Sequence, residues 1–250
     1  NALPFTIHRL GRVRPDRRFL VVLQAGPGSV HRSWYKADTV RNWDLLVNYY
    51  DARGFDSGLG EHVVFQPGTK FTAMARLIEE VPQIFERYDA FLFLDDDIEV
   101  SMSGLDRFFD LCFSQGLDLA QMALSDRSHC IWPALYQRRE RASLGNGWRR
   151  LTAVEIMMPL LSRRAIGLTS DTFRESVSGF GLDLLWGQRV TEAGGKIGIV
   201  DEVCVHHTKP IDDVGGAYYT YLRSCQINPK AELWRLIKLW NLKRGIDEVD

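Results

Sequence analysis

Three adjacent aspartates, Asp95, Asp96 and Asp97, directly follow the apolar run AFLFL at 90–94. Carboxylates crowded at the end of a buried strand repel one another and lose hydration, so a cation must offset the cost. A hard divalent metal, Mn²⁺ or Mg²⁺, with diphosphate oxygens as co-ligands suits the triplet, because such ions take few carboxylates plus phosphates. Alternation along the chain puts Asp95 and Asp97 on one side and Asp96 on the other. A further ligand should project from another strand end. His206 and His207 lie in the segment VDEVCVHHTKP, and imidazole suits Mn²⁺ better than Mg²⁺. If Val203 and Val205 face the core, His207 shares their side and His206 does not. Either could be the ligand, and His207 is narrowly favoured.

Asp183 lies in GFGLD at 179–183, where glycines on both sides of Phe180 allow tight turns. It falls in the first turn of a helix, where the dipole alone would favour a carboxylate. With a metal site nearby, it is also the best general base for an acceptor hydroxyl. Lys70 could neutralise a diphosphate or contact a base. Gly68-Thr69-Lys70 is not a phosphate-binding P-loop, because the GxxxxGK[ST] spacing is absent. Gly26, in the turn at 25–28, and Asp51, at a strand end, join Lys70, Asp95 and Asp96 as candidates for holding a nucleotide. His31 and Arg32 could approach it too. Trp132, Glu155, Phe180 and Trp186 are acceptor-site candidates. Aromatic rings stack on sugar faces, although most tryptophans serve packing.

These groups need a scaffold. Segments 19–24 (FLVVLQ), 44–50 (DLLVNYY) and 63–65 (VVF) read as strands, two of them followed by glycine–proline turns. From Thr72 the spacing of Met74, Leu77, Ile78, Val81 and Phe85 predicts an amphipathic helix with Pro82 as a kink or restart. The run at 90–94 suits a central strand buried on both faces. A helix is expected over 105–113, a strand over 119–124 and a polar, mobile loop over 138–150. Segment 154–161 reads as an edge or bulged strand because of Pro159. A helix over 182–193, strands over 197–200 and 203–207, and a last helix over 230–244 complete the pattern. Strands alternating with helices predict an α/β fold: one Rossmann-like domain with a mostly parallel central sheet flanked by helices, and a C-terminal helical tail. In such sheets ligands sit beyond the carboxyl ends of the strands. The expected division is a domain over 1–214 and a helical extension over 215–250.

Composition narrows the function. The chain has 250 residues, 45% hydrophobic and 25% charged, which excludes a disordered or fibrous protein. Net charge is -1, whereas a general nucleic-acid binder would carry a basic excess. The longest clean apolar runs, 19–23 and 90–94, fall far short of the roughly 20 residues of a membrane span. With no secretory leader, a cytoplasmic protein is expected. Cys112, Cys130, Cys204 and Cys225 form no CxxC pair and are expected to be buried free thiols.

The motifs together resemble a family. LFLDDDIEV resembles the metal and nucleotide-sugar motif of GT-A fold glycosyltransferases. PGTKFTAMARL resembles the segment ahead of that motif in inverting members related to cellulose and chitin synthases. GFGLDLLWG resembles the later motif whose acidic residue is the catalytic base, and CVHHTKP the C-terminal strand whose histidine completes the metal site. With AGPGSVHRSW, RNWDLLVNYYD, VEIMMP and VDEVCVHHTKP, the ordered set, over roughly 19–210, resembles a bacterial and plant domain-of-unknown-function family grouped with these transferases. The resemblance implies a GT-A-like fold and a nucleotide-diphosphate sugar as donor. It also implies Asp183 as base in an inverting reaction, and a nucleoside contact from Asp51.

The function expected is therefore metal-dependent transfer of a sugar to a hydroxyl on a glycan or lipid-linked acceptor, as in polysaccharide biosynthesis. Two alternatives stand. LQAGPGS at 23–29 resembles the turn of sugar-phosphate nucleotidyltransferases, but Val30-His31 follow where those enzymes have arginine, and Pro229-Lys230 come far too late. A non-catalytic carbohydrate-binding module would explain the tryptophans but not the clustered carboxylates. In the last helix Leu233, Leu236, Ile237 and Trp240 form one stripe, and Trp234, Leu239 and Leu242 fall outside it among basic residues. Those outer residues suit peripheral contact with the inner face of a membrane, or a homodimer.

Overall fold

The computed structural model describes residues 3–12, 14–142, 147–210 and 212–249. In chain order the elements are β1 (Thr6–Leu10), β2 (Phe19–Ala25), α1 (His31–Trp34), β3 (Trp43–Tyr49), β4 (His62–Phe65), α2 (Lys70–Glu80), α3 (Pro82–Phe85), β5 (Ala90–Asp95), β6 (Ile98–Glu99), α4 (Met102–Gln115), β7 (Leu119–Leu124), α5 (Arg139–Ala142), β8 (Trp148–Arg150), β9 (Leu160–Ser162), α6 (Arg163–Thr169), α7 (Leu182–Glu192), β10 (Ile197–His207), α8 (Ala217–Ser224) and α9 (Pro229–Trp240).

The strands form one sheet in the order β1-β4-β3-β2-β5-β9-β7-β10-β6, with β8 also paired to β10. Strand β2 runs parallel to β3 and β5, and β3 parallel to β4. These are the apolar runs read from the sequence, and β2, β3 and most of β5 are buried throughout. Burial on both faces requires continuous rather than alternating apolar residues. The short β9 runs antiparallel to both β5 and β7, and β7 runs parallel to β10. The α/β fold with a central sheet and flanking helices is as expected, and β9 makes that sheet mixed. Because β9 reverses twice, β5, β7 and β10 point the same way. Their carboxyl ends share one edge.

Helix boundaries follow local chemistry. The Ser101 side chain accepts from Gly104 N–H at the start of α4, and Gly116, at φ 64°, ends it in the left-handed conformation. Pro82 restarts the chain as α3 after α2 stops at Glu80. Asn228 caps α9 through Ala231 N–H, and Asn241, at φ 50°, closes it.

Several expectations are corrected. Segment 154–161 forms a regular strand only over Leu160–Ser162; before it, Pro159 O and Met157 O still accept from Phe93 and Asp95 N–H of β5, and Lys70 Nζ donates to Ile156 O and Met157 O. Segment 138–150 is not a loop throughout: it contains α5 and β8, the latter paired with β10, and residues 143–146 lie outside the described ones. The two strands expected over 197–207 are one strand with a register shift between Val200 and Cys204. Helix α9 ends at Trp240, and Leu242 is buried rather than exposed. The four cysteines are free, but only Cys112 is buried, and Cys204 and Cys225 are exposed.

The C-terminal segment packs on the same body. A Cβ at Gly181 would stand 3.1 Å from Leu236 Cδ1 and 3.4 Å from Leu233 Cδ1, so α9 lies close on the start of α7. Beyond α9, Thr152 N–H donates to Asp247 O and Val249 N–H to Arg150 O. Trp234 and Leu239 stay exposed, with the Arg244 guanidinium 5.3 Å from the centre of the Trp234 ring. Among the described residues, no helix is long and apolar enough to cross a membrane.

Candidate functional site

The chain runs outward from β2 through β3 to β4, then returns to β5 on the other side of β2. Ligands of open α/β sheets bind at such a reversal. The aspartate triplet at the end of β5 stands there. Asp96 spans it: Gly26 N–H donates to Asp96 Oδ2 at 2.9 Å and Tyr50 Oη–H at 3.3 Å. Its backbone carbonyl accepts from Val30 N–H at 2.7 Å. A Cβ at Gly26 would fall 2.1 Å from the Tyr50 ring, so only glycine fits this floor. Asp96 thus fixes the turn after β2, and burial raises its carboxyl above the ordinary range despite Lys209 at 3.4 Å.

Asp95 points the other way. Its Oδ1 lies 2.8 Å from Lys70 Nζ, which also donates to Ile156 O at 2.6 Å and Met157 O at 2.9 Å. An ammonium at the first residue of a helix opposes the helix dipole, and these three acceptors hold it there. Burial lifts the Asp95 carboxyl to about 6, against the pull of Lys70 and with added push from Asp97.

Asp97 Oδ2 faces His207 Nε2 at 3.6 Å. Strand β6 pairs antiparallel with the end of β10, with His207 opposite Ile98, which brings the two side chains together. His207 Nδ1 lies 2.7 Å from His129 O. A carbonyl only accepts, so Nδ1 carries a proton, and in the neutral ring the lone pair is on Nε2, toward Asp97. Burial would lower His207, but the Asp97 carboxylate outweighs it and lifts the ring to about 9. Burial likewise works to raise Asp97, and His207 and Lys209 hold it below the usual range. Asp97 Oδ1 is buried with no hydrogen-bond partner. A carboxylate with one idle buried oxygen, facing an imidazole of fixed tautomer, fits a divalent ion. Among the described residues, no three His, Cys, Asp or Glu side chains gather into a complete cage. The other positions on an ion would fall to phosphate oxygens and water.

His206 turns away from this cluster, its Nδ1 3.3 Å from Ser125 Oγ and 3.5 Å from Ser128 Oγ. On the acceptor side, Asp183 sits in the first turn of α7 after Gly181 at φ 88°. Its Oδ1 accepts from Leu184 N–H at 2.9 Å, yet burial lifts the carboxyl to about 6. Glu155 is pushed up to about 7 by burial and by the Asp183 charge, with Asp95 adding to it. Glu155 is held at both ends: its N–H donates to Gln121 Oε1, and its Oε2 accepts from Met157 N–H.

The remaining candidates divide. Asp51 caps the short turn at Ala52–Gly54, and Arg53 pairs with it and pulls it down to about 2. It faces Arg53 and solvent rather than the triplet. His31 is buried against Ser29 Oγ at 2.6 Å, its Nε2 without a hydrogen-bond partner, and burial lowers it to about 4. Arg32 reaches Gly54 O and Asp56. Trp132 and Phe180 are partly exposed. Trp186 is corrected: it is fully buried, its indole N–H donating to Thr172 Oγ1 at 2.9 Å, so it is core rather than acceptor surface.

Sequence reading missed Tyr50, Lys209, Gln121 and Tyr218. Lys209 could have been found two residues beyond His207 by the same alternation that puts His207 and His206 on opposite sides. Tyr218, an exposed residue of α8, donates to Ser178 O within reach of the Asp95 charge, a contact that no local pattern announces.

Residues 56–220 match the family described as Protein of unknown function (DUF707). No curated protein matches the chain. Among solved structures, the fold is similar to a crystal structure of GalNAc-T7 with UDP, GalNAc and Mn²⁺, at a TM-score of 0.54 and 10% identity. The match covers 88% of this chain and 50% of that one, so the chain spans about half the length of the relative. At that identity the likeness establishes the fold, a glycosyltransferase-like α/β domain. With two-thirds of its length matched by the family, the chain belongs to DUF707.

Proposed function

We propose that this protein is a metal-dependent glycosyltransferase that moves a sugar from a nucleotide-diphosphate donor to a hydroxyl acceptor on a glycan or lipid-linked substrate. The observation that carries the reading is the Asp97–His207 pair at the reversal point of the sheet. The neighbouring fold binds UDP, GalNAc and Mn²⁺, which supports the same ligand classes here.

Asp97 and His207 would hold Mn²⁺ or Mg²⁺, with Asp95 behind them. Such an ion supplies positive charge against the departing diphosphate. Lys209, half-exposed beside Asp96 and Asp97, adds a mobile ammonium at the same place. Gly26 and Asp96 shape the floor for the nucleotide, with Tyr50 beneath and Asp51 at the rim. Asp183 takes the acceptor hydroxyl proton as the new C–O bond forms and the bond to the diphosphate oxygen breaks. In-line attack inverts the anomeric carbon. Glu155, with its carboxyl near neutrality, would hydrogen-bond the acceptor, and Trp132 and Phe180 would flank it. Residues 215–250 serve as an extension that packs on this domain.

The test is a panel of nucleotide-sugars with Mn²⁺ or with EDTA, read by release of nucleoside diphosphate. Turnover with at least one donor, lost in EDTA and in Asp97→Ala, is expected. Absence of both turnover and nucleoside-diphosphate affinity across the panel would overturn the reading.

A further inference from the structure

The opposite edge of the sheet carries a second concentration of charge. A cleft of about 420 Å³ is lined by Arg14, Pro15, Arg17, Arg18, Arg87 and Asp89. Its walls come from the chain just before β2 and just before β5: Asp89 N–H donates to Arg18 O, and Arg18 N–H to Asn42 O. Strand β2 has seven residues. At roughly 3.3 Å per residue, the cleft is about 20 Å from the aspartate triplet.

Four guanidiniums and one carboxylate line the cleft, that carboxylate is engaged, and a second, the exposed Asp16, pairs with Arg17. Asp89 is bridged by Arg18 at 2.6 Å and by Arg163 at 3.3 Å. The side chains of Arg14 and Arg87 have no hydrogen bond or ion pair with a described residue, and both residues are exposed. Arg17 is 5% exposed. Its Nη1 donates to Trp43 O at 2.9 Å, while its Nε is buried without a hydrogen-bond partner, the exposed Asp16 standing 3.9 Å away. Guanidiniums do not shed their protons, so this convergence cannot be relieved by titration. Arg17 is offset by Asp16 and by the charges of Asp44 and Asp106, whereas the exposed charges of Arg14 and Arg87 are left without a counter-charge among the described residues, which a bound anion would supply. The planar fork of arginine matches tetrahedral oxyanions, two N–H groups to two oxygens.

We infer that this cleft binds a phosphate-type oxyanion, separately from the donor site and without dependence on the transferase reading. The cleft has room for more than a single phosphate, so it admits that group on a larger molecule: a soluble phosphorylated compound or the headgroup of an anionic lipid. The chemistry recognised is the same in both.

Inorganic pyrophosphate, titrated calorimetrically in EDTA so that no metal site competes, tests the soluble source. Phosphatidylcholine vesicles with and without phosphatidic acid, read by sedimentation, test the lipid source. Saturable, salt-sensitive binding in either arm is expected. It should fall at least tenfold in Arg14→Ser/Arg87→Ser, whose exposed positions leave the thermal midpoint unchanged, and persist in Asp97→Ala. Binding confined to one arm assigns the source. No binding in either arm at low salt, or equal binding by the double variant, would overturn the inference.

Discussion

His207 Nε2 stands 3.6 Å from Asp97 Oδ2, while the opposite ring nitrogen is tied to the His129 carbonyl at 2.7 Å. The ring is therefore held from behind and presents one nitrogen to the carboxylate. If this pair binds metal, Asp97→Ala and His207→Ala should each weaken Mn²⁺-supported nucleoside-diphosphate binding by roughly 10-fold or more. His206→Ala should not, because His206 faces Ser125 and Ser128. Calorimetry on the three variants separates the histidines.

The same geometry sets a pH dependence. Asp97 lifts His207 to about 9, so near neutrality a proton occupies the nitrogen a metal must use. Metal binding releases that proton. Affinity should rise with pH, by about tenfold per unit below about 9. Titrations at three pH values check it, and a flat profile would exclude His207 as ligand.

The positions of these groups were largely legible in the sequence. The run at 90–94 is continuously apolar, and a strand buried on both faces must be, so its end and the aspartates after it were placed correctly. Alternation separated His207 from His206 and Asp96 from its neighbours. What the sequence did not carry were elements without apolar periodicity. Strand β1 is exposed along its whole length and pairs only at an edge. Segment 154–158 looks like a strand because four of its five side chains are apolar, but its Ile156 and Met157 carbonyls also serve Lys70, a partner more than 80 residues away. No local pattern announces that ammonium.

Asp183 bears on both activity and stability. As general base it must be ionised, and burial lifts it to about 6. Transfer should therefore rise with pH through about 6. Asp183→Asn should lose roughly 10²-fold or more in kcat, while donor binding persists. The sign for folding is opposite. A carboxyl whose folded pKa lies above its unfolded value destabilises the fold where it is ionised, and that penalty shrinks as pH falls from about 6 toward the ordinary carboxyl value near 4. Asp183→Asn should thus raise stability at pH 8 by on the order of 2 kcal/mol, with the gain shrinking toward pH 5. Denaturant melts at the two pH values measure it.

Lys70 joins three acceptors from two parts of the chain. Lys70→Met would leave the Asp95 carboxylate and the Ile156 carbonyl without this donor at a half-buried place, while Met157 O keeps Asp95 N–H. The expected loss is about 1–2 kcal/mol at pH 8, below the scale of a fully buried pair because the Asp95 side chain is 37% exposed. Without Lys70, Asp95 protonates above its wild-type value of about 6, so the loss should narrow as pH falls from 8 toward about 6. A loss independent of pH would mean that the two carbonyls, not Asp95, are what Lys70 holds.

Trp186 and Phe180 lie six residues apart in one motif and should respond oppositely to truncation. Trp186 is wholly buried, edge-on to Phe71 with ring centres 4.7 Å apart and 5.1 Å from Phe173. Trp186→Ala removes that packing and the partner of Thr172, and should cost ~3–5 kcal/mol. Trp186→Phe should recover most of the packing and leave the acceptor KM unchanged in the folded enzyme. Phe180 lies between two glycines with positive φ, is partly exposed and belongs to no buried cluster. Phe180→Ala should change stability by less than about 1 kcal/mol, as surface substitutions do. If its ring flanks the acceptor, that variant should raise the acceptor KM several-fold with donor affinity intact. An acceptor KM that shifts in Trp186→Phe but not in Phe180→Ala would reverse the two assignments.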